Sequence, residues 1–183
     1  GAHVVVADID PGPAEETAAR ILAAGGAAEA LTLDVSDEDA CRSAVGRIVA
    51  DHPRLDGLFA NAAVLDATPL DDLDLARFRS VLRVNLDGVL ASALAAAPVM
   101  GPGGAILATA SIMGLAGQPD AIPYSVAKGG VVNLVRCLAV DLAPRGITVN
   151  GLAPGFIDTR MARLPDGSHE HDTALFREVY LTA

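Results

Sequence analysis

Short runs of apolar, often β-branched residues recur along this chain, separated by longer stretches in which apolar positions return every three or four residues. The first run, H-V-V-V-A-D at His3–Asp8, shows no alternation of inward and outward positions. That pattern suits a strand covered on both faces, as in a parallel sheet. A helix is expected from Pro13 to Ala24, with proline in the first turn, Glu15 and Glu16 after it and Gly25-Gly26 at the end. A second strand, Ala28–Asp34, again ends in an acid, and Val35 follows it. Ser36 or Asp37 then caps a helix running to about Ala50. Leu55–Ala60 is a third strand, and it delivers Asn61-Ala62-Ala63 at its carboxyl end.

The second half repeats the alternation. A long helix is predicted from about Leu73 to Ala97 with Asn85 near its middle, then a strand at Ala105–Thr109. A helix from Tyr124 to Leu142 is stopped by Pro144 and Gly146. A fifth strand, Ile147–Leu152, leads into Pro154-Gly155 and a loop carrying Thr159. Strand and helix alternating with short connections predict an α/β fold, a doubly wound parallel sheet with helices on both faces. Ligands in such folds sit at the carboxyl ends of the strands.

Composition narrows this picture. The 183 residues are about half hydrophobic but only 3% aromatic, so the core must be built from Ala, Val, Leu and Ile. Their number suits one domain, residues 1–183. A formal net charge of −10 disfavours nucleic acid or an anionic membrane surface as partner. Gly88 to Pro119 is free of charged residues, but Pro98 and the G-P-G-G run at Gly101–Gly104 interrupt it, so no membrane span is expected. Cys41 and Cys137 form no C-x-x-C pair and are read as reduced core thiols of a cytoplasmic protein. His169-Glu170-His171-Asp172 is read as part of a polar substrate lid rather than as a metal site.

The candidate chemistry lies between Ser111 and Lys128. Ser111 follows an apolar strand, a glycine-containing loop comes next, and Tyr124 and Lys128 stand four residues apart on one helix face. A free phenol, with a pKa of about 10, is a poor proton acceptor near neutrality. A neighbouring ammonium favours the phenolate, and a serine hydroxyl can hold a substrate oxygen between the two. By itself Tyr-x-x-x-Lys is more often a chance structural pair on a half-exposed helix than a catalytic one.

In order and spacing, Ser111, Tyr124 and Lys128 resemble the short-chain dehydrogenase/reductase family. The resemblance runs from Gly1 to about Thr159 and implies a Rossmann-like fold and hydride transfer between a secondary alcohol or ketone and NAD. It implies catalytic roles for Ser111, Tyr124, Lys128 and Asn85, the last through a helix irregularity; a buried asparagine bonded to backbone is the plainer alternative. Asp8 matches the acid that holds a ribose 2′-hydroxyl and repels a 2′-phosphate, which implies NAD rather than NADP; a solvated strand-end acid is the other possibility. Asp34 and Val35 match the adenine-side position, Asn61 and Ala62 the turn packed against the cofactor, and Pro154, Gly155 and Thr159 the nicotinamide-end loop. Ala63 stands where the family has glycine, a cost of about 1 kcal/mol if that position requires positive φ.

The family's glycine-rich phosphate loop and its last strand have no counterpart in the 183 residues. The expectation is therefore an incomplete copy of a domain of about 250 residues, its sheet lacking a strand between the first and third. Alternatives are a non-catalytic homologue serving as a binding module, or an NADPH-dependent 3-oxoacyl reductase. The resemblance further implies a homo-oligomer, dimer or tetramer, through the helices starting at Leu73 and Tyr124.

Overall fold

A computed structural model describes residues 1–157 together with Thr159, Met161 and Asp172. The chain divides into two compact units, Gly1–Ala153 and Pro154–Ala183. In the first unit the order is β1 (His3–Asp8), α1 (Pro11–Ala23), β2 (Ala27–Thr32), α2 (Glu38–Asp51) and β3 (Leu55–Ala60). Then come α3 (Leu75–Leu82), a π-helical segment (Arg83–Asp87), α4 (Gly88–Ala96), β4 (Met100–Thr109), α5 (Ile122–Leu142) and β5 (Thr148–Leu152).

Caps explain where the helices begin. The Asp10 carboxylate accepts from Gly12 N at 3.1 Å, and Pro11 fills the first helical position, so α1 starts earlier than Pro13. Of the two candidate caps for α2 it is Asp37 that accepts, from Ala40 N at 3.0 Å.

All strand pairs among the described residues are parallel. They form two sheets, β1–β2 and β3–β4–β5, and β1 does not pair with β3. α4 packs on β3 and β4, and α2, the helix that follows β2, packs against α4. Buried Cys41, Ala91 and Ala95 meet there, with Leu33, Val35 and Val45 around them.

The core is built from small aliphatics, as composition requires. Ala93, Ala96, Met100, Ile106, Leu142, Ile147 and Val149 form one cluster; Ala60, Val89, Ala108, Ala110 and Val131 form another. Ile106, 1% exposed at the centre of β4, contributes about 2–3 kcal/mol by burial.

Three expectations are corrected. The run Gly101–Gly104 does not break the chain before β4 but forms its first half, with a register shift between Leu55 and Gly57 on the paired strand. Gly103, at φ 86°, absorbs the irregularity, and its N–H bonds Gly146 O at 2.8 Å. Cys41 is a buried thiol, but Cys137 is exposed. Ala127, Val131, Val135 and Leu138 set the inward face of α5, and Cys137 falls off that stripe. Ala63 does not take positive φ, because Asp120 is the one non-glycine residue that does among those described; the expected cost does not arise.

The segment Leu75–Val99 is long and apolar enough to cross a membrane, yet half of its most apolar window is buried inside the fold.

Candidate active site

Parallel strands put their carboxyl ends on one edge of each sheet, and the sequence candidates gather there. Asp8 closes β1, Asn61 follows β3, and Ser111 lies just past β4. Asp34 follows β2 by two residues.

Lys128 is the most deeply buried charged group among the described residues, at 1% exposure. Its Nζ donates to Thr109 O at 2.6 Å and stands 5.7 Å from the centre of the Tyr124 ring. Burial lowers its pKa from an ordinary 10.5 to about 8. Thr109 in turn donates through Oγ1 to Asn61 Oδ1 at 2.8 Å, tying the ends of β3 and β4 together. One strand end therefore anchors both the lysine and the asparagine.

Tyr124 is buried, and its phenol sits above the ordinary value; burial raises it, and the Ser111 hydroxyl beside it works the other way. This corrects the expectation that Lys128 draws the phenol down. The ammonium is engaged by Thr109 O, and desolvation dominates at the phenol. Ser111 itself is buried, and its Oγ accepts from Met113 N at 3.1 Å, which starts a short 3₁₀ turn at Ile112–Gly114.

That turn lies directly on α5. A methyl group at Gly114 would stand 2.6 Å from both the carbonyl carbon and the carbonyl oxygen of Lys128, so only glycine permits this approach. At Gly130 a methyl would meet the terminal methyls of the Leu86 side chain, the nearer at 2.9 Å, which can give way. Gly114 thus sets how the Ser111 turn seats on the helix carrying Tyr124 and Lys128. The spacing Ser111-x-x-Gly114 carried that signal in the sequence.

Asn85 is fully buried in the π segment, where Gly88 N bonds Arg83 O in place of the usual α-helical partner. Its Oδ1 accepts from Val64 N and its Nδ2 donates to Val64 O, each at 2.8 Å. The expected helix irregularity is present, and so is the plainer backbone-bonded arrangement.

At the carboxyl edge of the other sheet, Asp8 Oδ1 accepts from Asp10 N at 3.0 Å, and Asp34 Oδ1 accepts from Ser36 N at 2.9 Å. The Ser36 hydroxyl and N–H hold the Asp34 carboxyl below its ordinary value, helped by Arg83. Sequence reasoning missed Asp66, a buried acid whose Oδ2 accepts from Arg77 Nε at 2.6 Å. Burial raises its pKa, but the Thr68 hydroxyl and the Arg77 guanidinium outweigh that and leave it lowered. A small open hollow, lined by Ala110, Leu115, Val132, Val135, Gly151 and Leu152 among others, lies beside the end of β4.

Pro154, Gly155 and Thr159 belong to the second unit and are described with it alone. His169, Glu170 and His171 lie outside the described residues, while Asp172 is described and exposed.

A family model described as Enoyl-(Acyl carrier protein) reductase matches residues 1–181. The chain belongs to the short-chain dehydrogenase/reductase family. It is 40% identical over 169 residues to a cis-4-hydroxycyclohexanecarboxylate dehydrogenase of Sinomonas cyclohexanicum, covering 90% of this chain and 68% of that one. A cyclopentanol dehydrogenase of Comamonas sp. is 35% identical over 165 residues, 89% of this chain and 66% of its own. A short-chain dehydrogenase of Burkholderia cenocepacia, solved in complex with NADP, superimposes with a TM-score of 0.86 at 34% identity, over 97% of this chain and 71% of that one. The chain thus spans about two thirds of the length of these curated relatives. Membership makes the protein an oxidoreductase of the short-chain class with a Rossmann-like fold.

Proposed function

We propose that this short-chain dehydrogenase interconverts a secondary alcohol and its ketone, with NAD as the preferred cofactor. The observation that carries the proposal is the seating of Ser111, Tyr124 and Lys128 around the end of β4, with Gly114 against the Lys128 backbone. A cyclic alcohol is the favoured substrate class, because two relatives are named for alicyclic alcohols and the nearby hollow is mostly apolar.

The residues present fit a nicotinamide dinucleotide in part. A carboxylate closes β1, and the buried ammonium of Lys128 spends one of its three N–H groups on Thr109. Asp8 would hold the adenosine ribose, Asp34 and Val35 the adenine side, and Asn61 and Ala62 would line the turn. Lys128 would hold the nicotinamide ribose, and Pro154, Gly155 and Thr159 the nicotinamide end. No described group is assigned to the phosphates.

When bound, the cofactor supplies the hydride acceptor for alcohol oxidation and the donor for ketone reduction. In oxidation the Tyr124 phenolate takes the hydroxyl proton as the C–H bond breaks; in reduction the phenol returns a proton to the carbonyl oxygen. Ser111 Oγ–H holds that oxygen in either direction. Burial raises the phenol above its ordinary value in the resting protein, and a positive charge drawn close to Tyr124 would favour the phenolate that oxidation needs. Asn85 fixes the helix segment packed on α5 through Val64.

The NADP-bound neighbour makes NADPH the specific rival, and Asp8 argues against it by repelling a 2′-phosphate. Exposed Leu90 and Leu94, one turn apart on α4, and Val126 and Val140 on α5 support a homo-oligomer. The charge of −10 and the free thiols support a cytoplasmic protein without nucleic-acid or membrane partners. The test is fluorescence titration with NADH and NADPH, followed by initial rates on cyclic secondary alcohols. Tighter NADH binding with turnover is expected; binding of neither nucleotide overturns the proposal.

A further inference from the structure

At the amino-terminal edge of β1–β2, opposite the strand ends just described, three side chains from three elements converge. His3 opens β1, Glu29 lies in β2, and His52 is the residue that ends α2. The register pairs His3 with Ala27, so Glu29, two residues further along β2, presents its side chain to the same face as His3. The helix end brings His52 onto that face, and the two imidazole centres lie 4.2 Å apart with planes tilted by 39°.

Both rings aim Nε2 at one oxygen. His52 Nε2 is 3.2 Å and His3 Nε2 is 3.4 Å from Glu29 Oε1, and the three donor atoms lie within 4.8 Å of one another. Two imidazoles and a carboxylate are the donor set of a borderline divalent transition ion. Bonds of about 2.0–2.1 Å in a tetrahedron put neighbouring donors about 3.3 Å apart, which is the separation found on two edges of this triangle. As an ion pair the cluster would do little: His3 and Glu29 are 37% and 46% exposed, and solvent-exposed pairs contribute about 1 kcal/mol at most.

We propose that His3, Glu29 and His52 form a binding site for a zinc-class divalent ion, with water in the remaining position. The ion joins β1, β2 and the end of α2. A two-stranded sheet is marginal alone, and a ligand that binds only the folded state stabilises it by mass action. The site is separate from the proposed hydride-transfer residues, so it stands or falls independently of them.

The test is zinc titration of tag-free, chelator-treated protein by calorimetry, with thermal melts at each zinc concentration. Expected are one saturable site, a rise in Tm with zinc, and a cobalt(II) visible spectrum of tetrahedral type. His3→Gln, Glu29→Gln and His52→Gln should each weaken binding at least about tenfold, the low end of what losing a supporting partner costs a metal site. His3 and Glu29 are exposed and His52 is half-buried at the end of α2, so conservative Gln variants should keep the fold. Absence of saturable binding by the unaltered protein overturns the proposal. So does binding that these variants leave unchanged while His169→Gln with His171→Gln abolishes it.

Discussion

Asn85 meets the backbone of Val64 with both ends of its amide, accepting from Val64 N and donating to Val64 O at 2.8 Å each. The contact joins residues 21 apart in sequence and pins the loop after β3 to the π segment packed on α5. An asparagine is the residue for this task, because its amide offers a donor and an acceptor in the geometry of a peptide group.

Asn85→Ala leaves two backbone groups of Val64 and a small cavity without compensation. A loss of about 2 kcal/mol in unfolding free energy is expected, read from urea denaturation. Turnover should fall with it, while NADH affinity should change little, because Asn85 is not among the residues proposed to hold the cofactor. An unchanged denaturation midpoint contradicts this role.

Gly114→Ala should cost activity more than stability. The added methyl, 2.6 Å from the Lys128 carbonyl, must push the Ser111 turn off α5. A shift of about 1 Å at a reacting group can cost about 100-fold in rate. The overpacking itself costs about 1–3 kcal/mol. Steady-state kinetics should show a fall in kcat at nearly constant NADH affinity; a fall in affinity alone would argue that the turn serves cofactor binding instead.

How far these relationships could be read in the sequence differs from residue to residue. β1 and β3 match their predicted bounds: V-V-V-A before Asp8 is an unbroken apolar run, and L-F-A before Asn61 fixes the end of β3 although Asp56 and Gly57 interrupt its start. The start of β4 was hidden, since Gly101–Gly104 reads as a breaker and only pairing with Leu55 and the bond to Gly146 make it strand. The π turn was invisible in local sequence: R-V-N-L-D is an ordinary helical run, and its irregularity accompanies a tertiary contact to Val64. The trio's order and spacing announced the candidate site. The direction of the Tyr124 shift could not be read there, because it depends on how deeply a neighbouring shell buries the phenol.

Lys128 gives the protein a pH signature. Its folded-state pKa of about 8 lies below its ordinary 10.5. Below pH 8 both states carry the proton and the burial penalty acts in full. Between those values the unfolded chain binds a proton that the folded one does not, so stability rises with pH. Without cofactor, the gain from pH 8 to 9.5 should be about 2 kcal/mol, and Lys128→Met should lack it. Tyr124, raised in the fold, acts with the opposite sign above pH 10, which is why the comparison stops at 9.5. Parallel pH profiles for the two proteins contradict the assignment.

Asp8 is expected to govern cofactor choice. It stands at the end of β1, and Ile9 beside it is 66% exposed and offers no positive charge to a phosphate. Asp8→Ser with Ile9→Arg should move the ratio of kcat/KM for NADH over NADPH at least about tenfold toward NADPH, about 1.4 kcal/mol of discrimination. An unchanged ratio would mean that selectivity is set elsewhere.

The central claim, that Tyr124 transfers the proton in a hydride-transfer reaction, is tested most directly by Tyr124→Phe. The change removes one oxygen from a buried ring and leaves Lys128 and its bond to Thr109 in place. Turnover of a secondary alcohol should fall by about 100-fold or more, within the range of general acid–base contributions, while NADH still binds with nearly unchanged affinity. Turnover retained at the level of the unaltered protein would contradict the account.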